Sequence, residues 1–129
     1  MSRSYARECV FKLVFKYLFN REKNAGSLEE ILSEDKNKDE AGYINEVYNG
    51  VINHYNELIE SIEKVSDGFK IDRIFKVDLA ILLVSLYEIK FNVVPKKVSI
   101  NEAINIAKTY STDKSAIYIN GILSNFVGE

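Results

Sequence analysis

The amino-acid sequence predicts an all-α fold, a compact bundle of six or seven helices. Two observations carry this prediction. Apolar residues recur at intervals of three and four positions over most of the 129 residues, which is the period of an amphipathic helix. A single proline interrupts the chain, and the predicted connections are short and polar, as in helical bundles. The length indicates one domain, residues 1–129.

The first predicted helix covers residues 3–20, and its apolar residues form one core-facing stripe. The stripe consists of Ala6, Cys9, Val10, Leu13, Val14 and Tyr17. Ser27 with Glu30 has the spacing of a capping box and predicts the start of a short second helix. The polar residues 33–40 are predicted to form a loop.

A long helix is predicted over residues 44–62, ending at the turn sequence of residues 66–68. A short helical turn follows at residues 71–75. Residues 77–91 are apolar on nearly all sides, which is typical of a buried helix and predicts the central element of the core. A buried strand is the alternative for such an apolar run, but the length of this run favours a helix.

The last two helices are predicted after a loop at residues 92–97 that contains the proline. Ser99 with Glu102 has the spacing of a second capping box, and residues 111–113 are predicted to start the final helix.

Charge is unevenly distributed, although the formal net charge is only −2. Residues 1–23 carry a net charge of +4, and residues 24–63 carry −8. A solvated surface would explain this pattern. The alternative is a polarised molecule whose basic N-terminal region meets a polyanion.

The sequence predicts a cytoplasmic, non-enzymatic protein without a metal ion or cofactor. Cys9 is the single cysteine, which excludes an internal disulfide, and no signal peptide or membrane-spanning apolar run is present. There is no Gly-rich phosphate loop and no nucleophile elbow. His54 is the only histidine and cannot by itself assemble a histidine-based metal site or a Ser/His triad.

Two aromatic pairs are candidates for binding surfaces. Phe15 and Phe19 project from the first predicted helix on the side away from the apolar stripe, so they either lie under a later helix or contact a partner protein. Tyr110 and Tyr118 flank a turn that contains Lys114. These tyrosines are either residues at the edge of the core or rings that stack unpaired bases beside a cation.

Four sequence blocks resemble the NusB family in order and spacing. They are Ala-Arg-Glu at residues 6–8, a middle block at residues 71–88, Val-Ser-Ile-Asn-Glu-Ala-Ile at residues 98–104 followed by an Ala-Lys pair, and Tyr-Ile-Asn-Gly-Ile-Leu at residues 118–123. The resemblance implies an all-helical fold of two three-helix sub-bundles. It further implies a complex with NusE, a small-subunit ribosomal protein, on the single-stranded boxA element of nascent ribosomal RNA, where the assembly lets RNA polymerase read through terminators.

The resemblance also assigns residues to these contacts. The RNA-binding positions it implies are Arg3, Arg7, Tyr110, Lys114 and Tyr118. The partner-binding positions are Phe15 and Asp78, to which the outward-facing Phe19 is added.

Leu79 and Leu83 depart from the family pattern, which usually has arginine at both positions. Because arginine contacts with phosphate supply much of the affinity for RNA, we expect binding to be weaker or to depend more on the partner. The alternative function is therefore a protein–protein interaction module that kept the NusB fold and weakened or lost RNA binding. A homodimer that buries Phe15 and Phe19 against a second copy is a third hypothesis.

Overall fold

Seven α-helices and two short 3₁₀ turns account for most of residues 2–66 and 70–126, the residues that the computed structural model describes. No strand occurs in these two segments, which confirms the all-α prediction. The helices are α1 (Ser2–Asn20), α2 (Ala25–Leu32), α3 (Ala41–Asn53), α4 (Tyr55–Val65), α5 (Lys76–Lys90), α6 (Lys96–Tyr110) and α7 (Asp113–Leu123).

Helix α5 is the centre of the molecule because all of its residues from 78 to 89 are buried. It packs against α1, α3, α4, α6 and α7, as expected for a helix that is apolar on nearly all sides. The helix prediction for this run is confirmed, and the alternative of a strand is wrong. Helices α5, α6 and α7 pack on one another as one three-helix group, and α3 joins α1 to α4 in the other.

The N-terminal cap of α2 differs from the prediction. Asn24, rather than Ser27, is the N-cap, and its Oδ1 accepts a hydrogen bond of 2.8 Å from the backbone N–H of Ser27. The predicted loop that follows contains a 3₁₀ turn, Asp35–Asn37. The Asn37 side chain is buried there and donates from Nδ2 to the Ile31 carbonyl over 3.0 Å.

The long helix predicted over residues 44–62 is divided at His54 into α3 and α4. The backbone of His54 leaves the helical region (φ −109°, ψ 19°), yet its N–H still donates to the Gly50 carbonyl and its carbonyl accepts from Leu58. The helical backbone is therefore interrupted at one residue, while the apolar spacing continues almost unchanged. Helix α4 ends at Val65, and two residues of the predicted turn, Asp67 and Gly68, lie outside the described residues.

The capping box predicted at Ser99 is also wrong. Helix α6 begins earlier, at Lys96, directly after Pro95. Ser99 is buried inside the helix, where its hydroxyl donates to Glu88 Oε1 of α5 over 2.7 Å. The start of α7 agrees with the prediction, since Thr112 is its N-cap and accepts from the Ser115 N–H over 2.9 Å.

Candidate nucleic-acid and partner interface

Arg3 lies at the start of α1, and its guanidinium is already paired with a carboxylate. Its Nε and Nη2 donate to the two carboxylate oxygens of Glu40 over 2.7 and 3.2 Å, and the group lies 4.3 Å from the centre of the Tyr43 ring. The Arg3 side chain is nevertheless 44% exposed.

Arg7 is buried, which corrects its expected role as an RNA contact. Only 1% of the residue is exposed, its Nε donates to Glu88 Oε2 over 2.9 Å, and its Nη1 donates to Glu102 Oε1 over 2.8 Å. Glu88 is itself fully buried and also accepts hydrogen bonds from Tyr43 and Ser99. Because two carboxylates occupy the guanidinium inside the core, Arg7 holds α1 against α5 and α6 and does not face a phosphate.

Tyr110 lies at the C-terminal end of α6 and is 37% exposed. Its hydroxyl donates to the carboxylate of Glu8, and its ring packs against Phe11 with the ring centres 5.3 Å apart. The hydrogen bond to Glu8, together with burial, raises the pKa of Tyr110. The ring is thus fixed at the surface, with part of it accessible.

Lys114 and Tyr118 lie on α7 beside a cavity of about 390 Å³. The cavity is also lined by Arg73, Ile74, Phe75, Asp78, Thr112 and Ser115. Lys114 is exposed and Tyr118 is half-buried. Burial, and after it the charge of Asp78, raises the pKa of Tyr118. The structure therefore brings together one cation and one tyrosine of the predicted RNA site at the rim of this cavity.

Asp78 is 4% exposed, which corrects its expected role in contacting a partner. One carboxylate oxygen accepts from the Ser111 hydroxyl over 2.7 Å, and the other accepts from the Ser115 hydroxyl over 2.8 Å. These bonds tie the first turn of α5 to the α6–α7 turn. In this position Asp78 orients the elements around the cavity and is not presented to a second protein.

Phe15 and Phe19 occupy the outer side of α1, as the helical spacing predicts. Phe15 is half-buried, and Phe19 is 63% exposed, so no later helix of the described chain covers Phe19. Their ring centres are 5.0 Å apart, and the Lys76 ammonium lies 5.5 Å from the centre of the Phe19 ring. Phe75, next to Lys76, is 68% exposed. Phe75 precedes α5 and belongs to no apolar period, so the sequence pattern gives no signal for a binding role at this position.

Four rings form a continuous series of contacts, which we call the aromatic row: Tyr110, the buried Phe11, Phe15 and Phe19. The ring centre of Phe11 lies 5.3 Å from that of Tyr110 and 6.5 Å from that of Phe15. The row thus connects one residue of the predicted RNA site, Tyr110, to the predicted partner-binding residues Phe15 and Phe19.

Within residues 2–66 and 70–126, no group of side chains could hold a metal ion. The same described residues contain no helix with the length and apolar character needed to cross a bilayer. The fold and these groups define the class of protein: a small all-helical domain with partly exposed aromatic rings and cations at its surface. The NusB family profile matches residues 4–128, and the chain belongs to this family.

Relatives of known name agree with this assignment. The chain is 41% identical to the transcription antitermination protein NusB of Agathobacter rectalis, with 98% of this chain and 99% of that protein covered. It is 42% identical to the protein of the same name from Natranaerobius thermophilus, with 100% and 96% covered. The family relationship confirms that the chain is not an enzyme.

Solved structures share the fold. T. maritima NusB superposes with a TM-score of 0.87 at 32% sequence identity, covering 95% of this chain and 88% of that chain. A crystal structure of the antitermination factors NusB and NusE in complex with double-stranded RNA contains a chain that superposes with a TM-score of 0.84. That chain is 24% identical, with 96% of this chain and 94% of that chain covered, and it supports the fold alone.

Proposed function

We propose that this protein is a transcription antitermination factor that binds single-stranded boxA-type RNA as a heterodimer with NusE. Residues 1–129 act as one RNA-binding domain in the cytoplasm, within the antitermination complex of RNA polymerase. Family membership and the names of the relatives support the role in antitermination. NusE and RNA are proposed because a protein of the same fold occurs in a complex with both.

The observation that carries the RNA proposal is that two tyrosines, Tyr110 and Tyr118, are each partly exposed. Tyr110 presents part of its ring at the end of α6, and Tyr118 lies at the rim of the cavity near Lys114. Stacking of a base on an aromatic ring contributes about 1–3 kcal/mol and tolerates different base sequences. Arg3 and Lys114 offer charge for the backbone phosphates.

The observation that carries the partner proposal is the exposure of Phe19 and Phe75. Exposed phenylalanines in one area are typical of surfaces that another protein buries. Phe15 supports Phe19 from beneath through an edge-to-face contact. The same rings would serve a homodimer, so the oligomeric state of the protein alone must be measured with that of the mixture.

The alternative of a module without RNA binding was motivated by Leu79 and Leu83. Both residues are buried, at 4% and 0% exposure, and belong to the core. Leucine at these positions packs the centre of the molecule. The weaker RNA binding expected from the two leucines stays a prediction.

RNA affinity of tyrosine variants tests the proposal. We expect Tyr110→Ala and Tyr118→Ala each to weaken binding of a boxA-type RNA oligonucleotide by about 1–3 kcal/mol, in titrations with and without NusE. Ile117→Ala is the matched control, because Ile117 is the neighbour of Tyr118 on α7 and is 74% exposed. Unchanged affinity in both tyrosine variants contradicts the stacking role.

A further inference from the structure

Lys12 stands beside Tyr110, although no sequence motif or family position singled it out. It lies on the outer side of α1 with 54% of its side chain exposed. Its Nζ is 5.4 Å from the centre of the Tyr110 ring and 3.8 Å from Glu8 Oε2. A cation at this distance from a ring interacts favourably with it, and here it is also open to solvent.

Glu8 links the two groups. Its carboxylate accepts the hydrogen bond from the Tyr110 hydroxyl and attracts the Lys12 ammonium from one turn away on α1. Contact with Tyr110, and to a lesser extent the charge of Glu8, raises the pKa of Lys12. The ring of Phe11 also packs against the ring of Tyr110. The Tyr110 ring and the Lys12 ammonium therefore lie together at the surface before any ligand binds.

We propose that Lys12 and Tyr110 form a single nucleotide subsite, with Glu8 as its positioning residue. The accessible part of the Tyr110 ring stacks on a base, and the Lys12 ammonium pairs with the phosphate attached to the same nucleotide. This inference rests on the proposed RNA binding and deepens it by naming a phosphate contact that the family resemblance does not supply. Lys12 would also supply positive charge on the RNA surface in place of Arg7, which is buried.

Lys16 provides a matched comparison on the same helix. It is an exposed lysine one turn further along α1, but its Nζ donates to the Ser27 hydroxyl over 3.1 Å, so it is directed towards α2. Lys12 and Lys16 carry the same charge at similar depth, and only Lys12 lies over a tyrosine ring of the proposed RNA surface. A general effect of positive charge on RNA binding would be shared by both residues, whereas a specific contact belongs to Lys12.

The test is a salt titration of single-stranded boxA-type RNA binding. For single strands the logarithm of the binding constant falls with the logarithm of salt concentration by about 0.7 for each phosphate contact. We expect Lys12→Gln to reduce this slope by about 0.7, Lys12→Arg to retain it, and Lys16→Gln to leave it close to that of the wild type. A slope in Lys12→Gln that equals the slope in Lys16→Gln overturns the proposal.

A double variant tests whether the two residues hold the same nucleotide. If they do, the fold-loss of affinity in Lys12→Gln/Tyr110→Ala is smaller than the product of the two single losses, because either change already releases that nucleotide. Losses that multiply fully overturn the shared subsite. Affinity for NusE should be unchanged in Lys12→Gln, and a loss there would assign Lys12 to the partner surface and overturn the inference.

The controls separate this inference from the proposed function. Thermal unfolding of each variant shows that the fold is intact. If the wild-type protein binds no RNA, alone or with NusE, the proposed function is contradicted. If the wild-type protein binds RNA and Lys12→Gln keeps the full salt slope, only the proposed Lys12–Tyr110 subsite is contradicted.

Discussion

Arg7 shows how the position of a single residue changes its interpretation. In the sequence it is one of several basic residues near the N-terminus, a pattern that indicates contact with a polyanion. In the structure its guanidinium lies in the core against Glu88 and Glu102, which are far away in sequence. Periodicity along one helix cannot identify partners on other helices, so the burial of Arg7 could not be predicted.

Removing the Arg7 guanidinium should destabilise the fold strongly. Arg7→Met leaves the buried Glu88 carboxylate without its cation, and such a change costs about 3–5 kcal/mol of unfolding free energy. Arg3→Met is the matched control because Arg3 is also ion-paired but 44% exposed, and its loss should cost about 1 kcal/mol or less. Urea unfolding of the two variants measures the difference, and equal losses would contradict the buried role.

Tyr43 makes stability sensitive to alkaline pH. Burial, and after it the charge of Glu88, raises the pKa of the Tyr43 hydroxyl above its ordinary value. Above about pH 10 the unfolded chain ionises this group while the folded chain keeps its proton, so the unfolding free energy falls as pH rises. We expect a shallower fall in Tyr43→Phe, measured by urea unfolding at several values between about pH 8 and pH 11. Parallel pH profiles would contradict this.

At the scale of the helices, the sequence predicted the interiors better than the ends. The buried helix α5 and the core stripe of α1 follow directly from apolar spacing. The break at His54 was missed because a one-residue kink scarcely disturbs that spacing. The capping boxes at Ser27 and Ser99 were wrong, because Asn24 and Pro95 lie three and four residues earlier and begin the helices there.

Close packing between α3 and α5 depends on a residue without a side chain. A Cβ atom added at Gly50 would lie 2.2 Å from Cζ of Tyr87, a buried ring of α5. Gly50→Ala should therefore destabilise the protein by about 1–3 kcal/mol, since either the ring or the helix must move.

Gly42→Ala is the control within the same helix. A Cβ atom at Gly42 meets nothing within 4 Å, so this change should stabilise α3 by up to about 1 kcal/mol through helix propensity. Urea unfolding measures both variants. A loss of stability in Gly42→Ala as large as that in Gly50→Ala would show that the ring contact is not the cause.

For the whole molecule, ring contacts through Phe11 connect the two proposed binding surfaces at Tyr110 and Phe15. The family resemblance supplied most of the candidate residues, and the structure retained Arg3, Tyr110, Lys114, Tyr118, Phe15 and Phe19 as accessible or partly accessible groups. Arg7 and Asp78 are buried and have structural roles. Phe75 and Lys12 are additional residues of the proposed binding surfaces. These changes depend on contacts between α1, α5, α6 and α7, which no single segment of sequence encodes.

We expect the protein to form a one-to-one complex with NusE through the Phe19 end of the aromatic row. We expect Phe19→Ser to weaken NusE binding, because Phe19 is 63% exposed at the end of the aromatic row. Val98→Ser is the control, since Val98 is 44% exposed on α6 and belongs to neither proposed surface. Sedimentation with and without NusE gives the oligomeric state. A homodimer that persists in the presence of NusE would contradict the heterodimer.

The ion pair between Arg7 and Glu88 has a consequence for synthesis on the ribosome. Arg7 and Glu88 are 81 residues apart in the chain, so Arg7 is translated well before its buried partner. Until Glu88 has emerged from the ribosome, burial of the Arg7 guanidinium would leave a charge unpaired in the core, which is unfavourable. We therefore expect α1 to dock stably only after α5 has been synthesised.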